Sequence, residues 1–190
     1  DRRQRQMCIR DRDMIMKQEV IVDEDETGGS LFDKLSEVGA KLCVKTMEAI
    51  ENGTAVYTPQ DDALATHTGK IQKEMGSIDW SKDAEVIERL VRGLNPWPSA
   101  FTHLNGKMLK IWDADVYTKE QAEAEFPEYS TDFKGAEPGQ IAAVLPHTFF
   151  IGCGKDLLKV NEVQAEGKKR MTSDAFLRGS RLEKGMELGK

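Results

Sequence analysis

The run Asn95-Pro96-Trp97-Pro98 separates two kinds of structure in this chain. Two prolines one residue apart each lack an amide hydrogen and each push the preceding residue toward an extended conformation, so no helix passes through this point. Before the break, Ala84, Val86, Ile87, Leu90, Val91 and Leu94 recur every three or four positions behind Ser81 and Asp83, residue types that cap helix starts. Arg89 and Arg92 suit the negative end of that helix, Gly93 suits a left-handed cap, and the prolines should hold Trp97 against whatever lies beneath. After the break the pattern becomes strands. Segments 101–104 and 107–112 flank Asn105-Gly106, which tolerates the positive φ that a two-residue type I′ hairpin needs. Leu109 and Ile111 share one face of the second strand, and Met108, Lys110 and Trp112 the other, so one of these faces lines a core. Segments 140–145, 147–152 and 157–163 read as further short strands, turned by Pro146 and by Gly154-Lys155-Asp156. Thr172, Ser173 and Asp174 can cap a short helix through Phe176 and Leu177. The fold class is α+β, with a partly open Greek-key barrel after a short helix.

The front of the chain has a different rhythm. Segment 13–22 is a strand candidate and 23–26 an acidic turn. Thr27 can then cap a helix in which Leu31, Leu35, Val38, Leu42, Thr46 or Met47, and Ile50 form one apolar stripe, ended by Asn52-Gly53. A helix after a strand normally packs its stripe on a sheet, so this face is expected to be core. Segment 57–77 is polar and punctuated by Pro59, Gly69 and Gly76, as an interdomain connector would be. The expected division is 1–12 as a non-native extension, 13–58 as the front domain, 59–77 as a linker, 78–180 as the barrel domain and 181–190 as a fraying tail.

The chain of 190 residues is 39% hydrophobic and 32% charged, enough for one domain with a proper core and part of another. No apolar run reaches the ~20 residues of a membrane span and no signal-peptide core is present, so a soluble, cytoplasmic protein is expected. Cys8, Cys43 and Cys153 are widely spaced, without a CxxC or Cys/His cluster, and read as reduced thiols rather than a metal site. The first twelve residues hold five of the ten arginines and none of the seventeen lysines, which sets them apart from all that follows.

Several blocks resemble one family. Lys70-Ile-Gln-Lys73-Glu, Ile78-Asp-Trp80 and Arg92-Gly-Leu-Asn-Pro-Trp-Pro98 are similar, in order and spacing, to the start of the C-terminal domain of methionyl-tRNA formyltransferase. So are Leu104-Asn-Gly-Lys-Met-Leu-Lys-Ile-Trp112, Gln164-Ala-Glu-Gly-Lys-Lys-Arg-Met171 and Phe176-Leu-Arg-Gly179 further on. The resemblance covers about residues 13–179. It implies an OB-like barrel preceded by the strand-helix remnant of a Rossmann-like formyl-transfer domain. It also implies 10-formyltetrahydrofolate as co-substrate, no metal, initiator methionyl-tRNA as partner and a monomeric full-length enzyme. The family's catalytic Asn, His and Asp lie upstream of Asp13, so no residue here inherits a catalytic role and the chain alone is expected to be inactive. A formyltransferase with a different acceptor, or a non-catalytic OB-fold module binding nucleic acid, are the alternatives.

Within that resemblance, the residues expected to touch tRNA phosphates are Lys70, Lys73, Arg92, Lys107, Lys110, Lys155, Lys159, Lys168, Lys169 and Arg170. Charge runs are more often solvated surface, and 78–190 is itself slightly acidic. The expectation is that these cations, drawn from separate elements, gather on one side of the barrel. The acidic segment 117–138 is expected to be a solvated insertion away from RNA. His67 reads as a surface histidine, His103 and His147 as strand residues, and Trp80, Trp97 and Trp112 as structural.

Overall fold

A computed structural model describes residues 12–66 and 68–189. His67, Lys190 and the extension up to residue 11 lie outside the described residues. The chain forms two compact units, one up to Lys70 and one from Ile71 onward.

In the first unit, α1 (Gly28–Glu51) begins at Thr27, whose hydroxyl accepts the Ser30 amide at 3.1 Å while the Ser30 hydroxyl accepts the Thr27 amide at 3.0 Å. It ends at Asn52, followed by Gly53 with φ 68°. The predicted stripe is not core: Ala49 is the one buried residue in α1, Leu31, Val38 and Leu42 are half-buried, and Leu35, Met47 and Ile50 are 48%, 65% and 47% exposed. Nor does 13–22 form a strand. Only Met14 pairs, with Thr58, through amide bonds of 2.8 and 2.9 Å. A strand is made by the neighbours it bonds to laterally, and within this unit residue 58 is the one neighbour offered.

In the second unit, α2 (Ala84–Gly93) buries Ala84, Ile87 and Val91. Asp83 stands at its N-cap but makes no capping bond; the Ala84 amide is satisfied by the Lys155 carbonyl at 3.0 Å instead. Gly93 is the last helical residue and Leu94, buried with φ −96°, is the cap. The helix therefore ends without a left-handed glycine, one residue before Asn95-Pro96.

The sheet is antiparallel and runs β1 (Ala100–Leu104), β2 (Lys107–Tyr117), β5 (Leu157–Ala165), β4 (Phe149–Gly152), β3 (Ile141–Val144) in space, with β6 (Met171–Thr172) on β5. Asn105 (φ 52°) and Gly106 (φ 74°) form the predicted two-residue turn, with Leu104 opposite Lys107. Register shifts at 111–114 kink β2 across β5. Leu109, Ile111, Ala114, Leu158, Val160 and Val163 face the main core, against α2 and against Phe176 of α5 (Ser173–Gly179).

Three expectations are overturned here. The tail does not fray: Glu187 pairs with Gln140 beside β3, Leu188 pairs with Leu104 of β1, and Leu182 and Leu188 are buried in the core. Small charged residues around Leu182, Met186 and Leu188 masked their apolar spacing. The acidic segment is not a solvated loop: α3 (Lys119–Glu125) and α4 (Ser130–Lys134) bring Phe126, Tyr129 and the fully buried Phe133 together with Tyr117 and Phe150 as a second core. Phe133 and Phe126 meet Phe150 edge-on at 5.1 and 5.6 Å between ring centroids. The acids dominate the composition, but the aromatics between them decide the packing. His147 is 84% exposed in the turn before β4, where its Nδ1 lies 3.0 Å from Asp174.

Candidate nucleic-acid interface

Strand alternation divides β2 into a buried face, Leu109 and Ile111, and an outer face carrying Lys110 and Trp112. On the neighbouring strand Gln164 lies opposite Lys110, and its side-chain oxygen accepts the Trp112 indole N–H at 3.1 Å. The amide of the same Gln164 donates to the Lys168 carbonyl at 2.9 Å, which ties the turn between β5 and β6 to this face. That turn carries Lys168, Lys169 and Arg170, all exposed. The Arg170 guanidinium lies 5.1 Å from the centre of the Trp112 ring and the Lys110 ammonium 5.8 Å. Both are within cation–π range, so the indole holds two positive charges beside it.

The structure therefore brings together Lys110 and Arg170 at Trp112, with Lys168 and Lys169 on the adjoining turn. Lys107 is at the start of the same strand. The Asn95 side-chain amide, just past the end of α2, donates to the Trp112 carbonyl at 3.3 Å, while the Arg92 side chain is paired with Glu88 on its own helix. Lys159 lies on the outer face five residues along β5 from Gln164, roughly 16 Å at ~3.3 Å per residue. There it sits 5.4 Å from the Tyr117 ring centre and 3.5 Å from Asp115. Burial and then the neighbouring Glu125 raise the Tyr117 hydroxyl pKa, while Lys159 acts in the opposite sense. Lys155 is in the turn between β4 and β5, at the far end of that strand, where its carbonyl serves α2. Lys73 begins the short turn Lys73–Gly76, and the next residue, Ser77, pairs with Phe101 of β1. Lys70 belongs to the other unit and is exposed.

Two tryptophans differ from expectation. Trp97 is 56% exposed, because Leu94 and Pro98 take the buried positions of its turn. Trp112 is a part of the cationic face rather than of the core. Glu162 and Gln164, which hold Arg170 and Trp112, were not anticipated; their spacing on a strand two residues apart is the signal that could have revealed them. Trp80 is structural as expected, buried with its indole N–H on Thr102 at 3.0 Å. No group of acidic, His and Cys side chains among the described residues could hold a metal.

Residues 70–181 match the family of formyl transferase C-terminal domains. The chain belongs to that family. Among its relatives, the methionyl-tRNA formyltransferase of Lachnospira eligens is 52% identical over 178 residues, 94% of this chain and 54% of its own length. That of Bacillus licheniformis is 44% identical over 178 residues, 93% of this chain and 52% of its own. The chain thus spans about half the length of the curated relatives it matches. A variant of HypX from Aquifex aeolicus has a similar fold, with a TM-score of 0.57 and 18% identity over 85% of this chain and 28% of HypX. No helix among the described residues is long and apolar enough to cross a membrane.

Proposed function

We propose that this chain is the rear portion of a cytoplasmic methionyl-tRNA formyltransferase, monomeric when full length, and that its OB-like second unit positions initiator methionyl-tRNA. The formyl group of 10-formyltetrahydrofolate then passes to the methionyl amine in the part of the enzyme carrying the catalytic Asn, His and Asp. The contribution of these residues is orientation: holding the acceptor arm so that the amine meets the formyl carbon, which raises rate without chemistry of its own. The placement of Lys110 and Arg170 at Trp112, with Lys168 and Lys169 on the adjoining exposed turn, carries this reading, supported by the relatives' names. Cations spread over a strand face and a turn suit phosphates along a backbone, and they position RNA without reading bases.

The test is binding of initiator tRNA by the purified 190-residue chain and by its Lys168→Glu/Lys169→Glu variant, at several salt concentrations. Loss of two phosphate contacts should weaken binding at least tenfold and flatten the salt dependence by about two. Equal affinity of the two proteins would overturn the assignment. The chain alone should show no formyl transfer to methionyl-tRNA.

A further inference from the structure

Several candidate RNA-binding cations are held by carboxylates of this same chain: Arg92 by Glu88, Lys155 by Asp156, Lys159 by Asp115 and Arg170 by Glu162. The last pair differs in its setting. Arg170 engages the Glu162 carboxylate through Nε and Nη2, the edge of the guanidinium suited to a carboxylate or a phosphate. The guanidinium also lies against Trp112, whose indole is fixed by Gln164, and Lys110 stands by the same ring. An anion accepted by Arg170 therefore has Lys110 at the same ring, and Lys168 and Lys169 precede Arg170 on the same exposed turn. Glu162 occupies that anion's place.

We propose that Glu162 is a built-in substitute for an RNA phosphate, keeping Arg170 ordered against Trp112 until a phosphodiester displaces it. This rests on the RNA-positioning reading and adds to it a device that sets the strength of binding. Held by Glu162, the guanidinium is already near Trp112 when RNA arrives. The exchange is easy because both members are partly exposed, 46% for Arg170 and 31% for Glu162, and such pairs are weak. One carboxylate is then replaced by a phosphate that meets several cations at once. Asp113, opposite Glu162 across β2 and β5, adds a second negative charge nearby and supplies the control.

Initiator tRNA is titrated into the 190-residue chain and into Glu162→Gln, Asp113→Asn, Arg170→Met and Glu162→Gln/Arg170→Met variants at one salt concentration, with melting temperature checked for each. Glu162→Gln should bind about threefold to fivefold tighter, the scale of one exposed ion pair. Asp113→Asn should gain less, since it removes a charge but frees no guanidinium. In the Arg170→Met background the Glu162→Gln gain should fall to that of Asp113→Asn. A gain no larger than that of Asp113→Asn, or one undiminished without Arg170, overturns the exchange while leaving RNA positioning intact. Absence of tRNA binding by the parent chain overturns both.

Discussion

Leu188 lies antiparallel to Leu104 and buried beneath it, with the amide of Gly189 donating to the His103 carbonyl at 2.8 Å. On the other side the same segment bonds to the opposite edge of the sheet: the Leu188 amide reaches the Gly139 carbonyl at 2.7 Å, and the Ile141 amide the Met186 carbonyl at 2.9 Å. One stretch near the end of the chain thus satisfies the outer backbone groups of both edge regions, β1 and β3, which would otherwise lie open to other chains. Leu188→Ala should cost about 2–4 kcal/mol, as for other large-to-small changes in a core, read as a lower midpoint in urea denaturation. Deleting residues 181–189 should cost more, since Leu182 is lost as well, and should give concentration-dependent association through the bared edges.

Trp80 and Thr102 form a buried pair. The indole N–H donates to the Thr102 hydroxyl at 3.0 Å, and both residues are almost wholly shielded. Thr102→Val keeps the shape but leaves the N–H without an acceptor in a place water does not reach, at a cost of about 1–3 kcal/mol. Trp80→Phe in the Thr102→Val background removes the orphaned donor, so the double variant should lose less than the sum of the two single losses. Strict additivity in a double-mutant cycle would show that the bond contributes nothing.

What the residues disclosed in advance was local. Thr27 and Ser30 fix the start of α1 because a hydroxyl and an amide three residues apart must meet there, and Asn105-Gly106 fixes the hairpin because few other pairs accept its φ values. The misplaced features depend on distant partners. Whether 13–22 is a strand is decided by what lies beside it, and whether 181–189 frays is decided by β1 and β3, more than forty residues away in either case. The cationic site was half legible for the same reason. Lys168, Lys169 and Arg170 stand out as a run, but that Trp112 lies between Lys110 and Arg170 follows only from the pairing of β2 with β5.

Cys153 and Cys43 should differ in reactivity. Cys43 is exposed on α1, whereas Cys153 is buried, and burial is the main cause that pushes its thiol up to about 12 from an ordinary 9.0. Because the thiolate is the reactive form, iodoacetamide at pH 8 should label Cys43 and spare Cys153 until the protein is unfolded, as peptide mass mapping would read. The sign of the linkage follows. A raised folded-state pKa means the native state keeps its proton longer than the unfolded chain, so this contribution to stability is complete below about pH 9. It is lost progressively as pH climbs from there toward 12. Replacing Cys153 with Ala should flatten that alkaline decline while lowering stability at neutral pH by the packing lost.

The helices α1 and α2 have the same apolar rhythm and opposite fates, and this gives a direct comparison. Ile87 and Val91 of α2 are 2% exposed, so truncating either to Ala removes buried methyl groups and leaves a cavity, at about 2–4 kcal/mol for Ile87. Phe32 and Met47 of α1 are 70% and 65% exposed, so in this chain there is little for a polar residue to disturb. Phe32→Gln and Met47→Gln should each shift stability by no more than about 0.5 kcal/mol, the usual range for surface changes. The same exposed groups should bind a hydrophobic dye at neutral pH without denaturant, and the Phe32→Gln/Met47→Gln protein should bind less of it. A large loss of stability in that double variant would mean that these two α1 side chains are covered in solution.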